Sequence, residues 1–125
     1  MGTYPTSATA TIKKGATAFP LDVQVFDLDG VAVDLTTYTR IQFIMVTPVE
    51  GGTDVGKVDA AGSFVDKTLG KIRYTWLAAD VDTAGDFVAE FRLRPNAVGP
   101  PDTSAILKIP TDSAILVRII EDVEA

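Results

Sequence analysis

The chain has 125 residues, of which 46% are hydrophobic and 22% charged; this is the range of a single folded domain that buries roughly two-thirds of its unfolded surface. A net charge of −6 and a pI near 4.4 make a phosphate backbone a poor partner, so no nucleic acid is expected. Cysteine and histidine are absent, which excludes disulfides and thiolate metal sites and removes the usual general base and the commonest transition-metal ligand.

Residues 1–125 read as one domain in which 1–7, small and polar around Pro5, form a flexible leader. The N-terminus lacks the basic region and apolar run of a secretory signal. No apolar run approaches the roughly 20 residues of a membrane-spanning helix, so membrane insertion is not expected. A first strand is read over 8–14, followed by a polar turn at Lys13-Lys14-Gly15. Residues 18–27 form a second strand, with Phe19, Leu21, Val23 and Val25 on one face and Asp22 and Gln24 on the other. Pro20, near its start, belongs on an edge or at a strand end.

Asp29-Gly30 is a hairpin-turn dipeptide. A short strand or extended linker over 31–35 and a polar turn over 36–39 lead into a strand over 40–47. That strand is apolar on both faces (Ile41, Phe43, Met45; Ile44, Val46) and is therefore expected to be central. Residues 55–60 and 63–67 read as a hairpin about Ala61-Gly62.

The stretch 70–93, GKIRYTWLAADVDTAGDFVAEFRL, is two strands joined by an acidic corner. Alternation places Ile72, Tyr74 and Trp76 on one buried face, and Phe87, Ala89, Phe91 and Leu93 on another. Pro95, Gly99, Pro100 and Pro101 then break regular structure over 95–104 and mark an exposed loop. Two β segments, 105–109 and 114–121, close the chain. No helix is read. About seven to nine short strands with frequent turn signals describe an all-β fold, an antiparallel sandwich.

Motifs for chemistry are sparse. Gly51 to Lys57 fits G-x-x-x-x-G-K, but Val58 follows where a phosphate-binding loop has Ser or Thr, and no helix follows. Asp27 and Asp29, near Asp34, and Asp80 and Asp82, near Asp86, are acidic runs. Calcium takes about six to eight oxygens, and clustered Asp on turns supply some of them. Neither run completes the EF-hand loop with its terminal Glu, and Asp is also a favoured turn residue. No bound metal is expected, and Asp27, Asp29, Asp80 and Asp82 are the candidate ligands if calcium does bind. No cofactor and no catalytic residues are assigned. Glu90 is the internal acid outside a turn, and its natural partner is Arg92, Arg73 or another cross-strand cation. Tyr4, Tyr38, Tyr74 and Trp76 leave a glycan-stacking platform open, although alternation places Tyr74 and Trp76 in the core.

The order of motifs carries more than any one of them. A strand ending at Asp29-Gly30 precedes Val33-Asp34-Leu35-Thr36 and the strand at 41–46. Gly70-Lys-Ile-Arg-Tyr-Thr-Trp76, Asp80 or Asp82, and Gly85-Asp-Phe-Val-Ala-Glu-Phe91 follow, and Ile109-Pro110 precedes the last strand. Over roughly residues 10–120 this resembles the immunoglobulin-like N-terminal domain of phage baseplate upper proteins and related tail modules. Phe87 stands where that family, like the tyrosine corner of immunoglobulin domains, often has Tyr.

The resemblance implies an immunoglobulin-like sandwich and a non-enzymatic virion structural protein, made in the host cytoplasm and built into a phage tail or baseplate. Such a module works by protein–protein packing against itself, as a homo-oligomer, and against other virion proteins. An unpaired strand edge or the loop over 95–104 would be the natural contact surface. A capsid decoration or neck protein, and a carbohydrate-binding module for host recognition, are the alternative readings.

Overall fold

The computed structural model describes residues 6–49, 51–95, 106–110 and 113–121. Among these residues it contains nine strands: β1 (Thr6–Lys13), β2 (Leu21–Gln24), β3 (Arg40–Thr47), β4 (Val55–Ala61), β5 (Ser63–Asp66), β6 (Lys71–Tyr74), β7 (Gly85–Arg94), β8 (Leu107–Ile109) and β9 (Ala114–Ile120). The only helical elements among them are two 3-10 turns, Lys67–Leu69 and Ala78–Val81. The larger sheet runs β1-β9-β7-β3-β4, with β8 also paired to β7, and the smaller runs β2-β6-β5. The chain is an all-β sandwich.

The aromatic residues of the two sheets meet in its centre. Phe43 of β3 stacks on Tyr74 of β6 with ring centroids 4.3 Å apart and planes 13° from parallel. Trp76 meets Phe43 edge-on at 5.6 Å and Tyr74 edge-on at 5.3 Å, the geometry that ring quadrupoles favour. Phe91, the cross-strand partner of Phe43, closes the cluster at 5.0 Å. The faces read from alternation are the buried faces: Ile72, Tyr74, Trp76, Phe87, Ala89, Phe91 and Leu93 are all buried. As expected, β3 is interior to its sheet, lying between β7 and β4. Strand β7 pairs along one side with β3 and along the other with β9 over Gly85–Ala89 and then β8 over Phe91–Leu93.

Three expectations are corrected. The larger sheet is mixed, because β1 pairs with β9 in parallel; alternation reports faces but carries no information on strand direction. The segments at 55–60 and 63–67 are not a hairpin: β4 pairs with β3 and β5 with β6, so one bent segment steps between sheets at Gly62. A Cβ at Gly62 would lie 3.1 Å from the Arg73 carbonyl oxygen and 3.2 Å from the Ile41 side chain, which is why the step falls on a glycine.

The strand expected over 18–27 is only β2, and Phe19 is 86% exposed rather than inward. Pro20 has no N–H to give a ladder, so pairing starts at Leu21. The segment at 31–35 is the extended linker of the two forms open to it, with a single bridge, Phe26 with Ala32. Its Leu35 is nonetheless completely buried. The loop expected over 95–104 lies, apart from Pro95, outside the described residues, as does Tyr4.

Candidate functional site

The acidic corner between β6 and β7 is built around Asp80. Its carboxylate is buried and accepts hydrogen bonds from the Tyr74 hydroxyl at 2.6 Å and the Leu77 backbone N–H at 2.8 Å. The second bond is the carboxylate half of a capping box at the start of the 3-10 turn. Burial, and then the Asp80 carboxylate beside it, push the Tyr74 phenol above its ordinary value.

The other candidate calcium ligands serve the backbone in the same way. Asp27 Oδ1 accepts from the N–H groups of Asp29 and Val31, each at 2.9 Å. Together with Gly30 at φ 79° and the Gly30 N–H to Asp27 carbonyl bond, this makes a closed hairpin turn. Asp29 is exposed at its tip. Asp82 pairs with Lys57, whose ammonium, with the Thr83 hydroxyl, holds the carboxyl below the usual carboxylate range. Asp34 is held low by the Thr36 N–H. No three metal-ligating side chains come together among the described residues.

The G-x-x-x-x-G-K run ends inside β4, where Lys57 faces Asp82, so no helix N-terminus is presented to a phosphate. Glu90 pairs with Arg92 of the same strand rather than across strands. Tyr38 packs half-buried against the core, and Tyr74 and Trp76 are inside it. The exposed aromatic rings of the described residues are instead Phe19 and Phe26.

One flank of the sandwich carries an apolar cleft. Strand β1 is an edge of the larger sheet and β2 an edge of the smaller one. Between them lies a cleft of about 360 Å³ whose lining includes Ala8, Val23, Val25, Phe26, Ile109 and Ile115. Exposed Phe26, Leu28 and Val31 carry the apolar surface out onto the Asp27–Gly30 turn. The cleft is apolar and bounded by strand edges, which suits main-chain pairing and side-chain packing. Ala8 and Ile115 are separated by most of the chain and meet only through the β1–β9 ladder. No local sequence pattern announces such a site.

No protein-family model matches the chain, and no curated protein sequence matches it.

Proposed function

We propose that this is a non-enzymatic virion structural protein, a phage tail or baseplate module that acts by packing against copies of itself and against neighbouring virion proteins. The observation that carries this reading is the open flank, where strand edges border an apolar cleft beside an exposed Phe26–Leu28–Val31 patch. Contiguous exposed apolar surface of this kind marks association sites. The ordered motif set over residues 10–120 supports placing that association in a phage tail. The polar groups with the most chemical character, Asp80 with Tyr74 and Asp82 with Lys57, are spent on turns and ion pairs.

The test is to label phage particles with an antibody against the chain and to quantify it in purified virions by mass spectrometry. Label on the tail or baseplate at a fixed copy number is the expected result. Chain that remains wholly in the particle-free lysate overturns the proposal, and label on the head moves it to a capsid role.

A further inference from the structure

The four outermost strands of the two sheets differ in how they resist pairing with another chain. Strand β2 has four residues and carries Asp22 in an ion pair with Arg73. Strand β5 also has four residues and is interrupted by a bulge at Val65. Strand β4 bulges at Lys57 and carries Lys57 and Asp59. Short length, bulges and charges are the devices that block edge-to-edge association. Strand β8, which pairs with β7 alone among the described strands, has three residues, with Lys108 in the middle.

Strand β1 has a register break between Thr6 and Ala8 and ends in the charged Lys13, but the five residues from Ala8 to Ile12 carry none of these devices. Its register with β9 is unbroken from Ala8 to Lys13, and Ala8 to Ile12 are uncharged. No described residue pairs with its outer edge.

The sequence of that edge is also nearly palindromic about Ala10. Thr9 and Thr11 flank it on the solvent face, and Ala8 and Ile12 lie on the core face. Antiparallel pairing with a second copy, centred on Ala10, sets Thr9 opposite the partner's Thr11. Thr–Thr pairs of this kind are favourable across antiparallel strands. The same register sets Ala8 opposite the partner's Ile12. Ala8 lines the apolar cleft, so the small residue leaves room where the large one arrives.

We propose that β1 is a two-fold dimerisation edge that joins the larger sheets of two copies into one continuous sheet. The inference rests on the reading of the chain as an assembly module and names the surface and the partner. The contact is isologous, since each copy presents the same strand.

The experiment is sedimentation equilibrium of the full chain and two variants, with circular dichroism to verify folding. Thr9 and Thr11 are exposed, so both variants should fold. The wild type is expected to dimerise. Thr9→Lys with Thr11→Lys sets ammonium opposite ammonium and is expected to weaken the dimer by about tenfold or more. Thr9→Lys with Thr11→Glu sets each ammonium opposite a carboxylate only in this antiparallel register, and is expected to restore it. A wild type that stays monomeric up to millimolar concentration, or an oligomer that neither double variant alters, overturns the edge. An unaltered oligomer would leave the assembly reading standing. Chain missing from virions would overturn that reading while leaving the dimer measurement as it is.

Discussion

The corner between β6 and β7 and the edge strand β1 are built on opposite principles. At the corner, large rings interlock with centroids 4.3–5.6 Å apart, and a buried carboxylate is satisfied by a hydroxyl and a backbone N–H. From Ala8 to Thr11 the residues of β1 are Ala and Thr, and among its described residues Ile12 is the one that packs against the core cluster. The corner holds the two sheets together. The edge adds main-chain hydrogen bonds to β9 and little apolar burial. If β1 is the dimerisation edge proposed above, stability and association lie in different parts of the same sandwich, and substitutions should separate them.

The largest effect should come at the corner. Trp76→Ala is expected to cost about 3–5 kcal/mol in urea unfolding, the range for emptying a buried ring site. A loss below about 1 kcal/mol would mean the ring contributes little to the core.

Next comes Tyr74→Phe, which removes the hydroxyl from Asp80 and is expected to cost about 1.5–3 kcal/mol, the range for a hydrogen bond to a charged group. It also changes the alkaline limb of stability. The folded state raises the Tyr74 pKa, so above about pH 10 the unfolded chain loses the phenolic proton first. The wild type should therefore lose stability as pH rises past about 10, by up to about 1.4 kcal/mol per pH unit from this group. Tyr74→Phe should flatten that limb, and an identical slope in the variant would assign it to other groups.

The smallest effect belongs to the edge. Thr11→Lys alone is expected to shift monomer stability by less than about 0.5 kcal/mol, as surface substitutions do. A loss above about 2 kcal/mol would show that β1 is part of the stabilising core.

The corner was legible because its information is local. Alternation over Ile72, Tyr74 and Trp76, and over Phe87 to Leu93, identifies inward faces without knowing which strands are neighbours. The central place of β3 followed from its two apolar faces in the same way. Pairing across distance left no such trace. Residues 55–61 and 63–66 alternate as a hairpin would, yet they belong to different sheets. The parallel direction of β1 was equally silent, and with it the identity of the exposed edge. Phe19 was misplaced because Pro20 delays pairing until Leu21. Asp80 was visible as an acid on a turn, but its bond to Tyr74 depends on a six-residue separation that strand alternation does not encode. The cleft joins Ala8, Val25, Ile109 and Ile115 from four parts of the chain, and only the β1–β9 ladder and the stacking of the sheets bring them together.

The parallel β1–β9 ladder has a consequence during synthesis. Thr6 pairs with Ala114 and Lys13 with Ile120, so β1 waits for a strand made more than a hundred residues later. At translation rates of about 5–20 residues per second, β1 spends roughly 5–20 s without its sheet partner. A strand of Ile and Val would spend that interval as a nucleus for aggregation. Alternating Ala and Thr gives a segment that tolerates water while waiting and still fits a pleated ladder once β9 emerges.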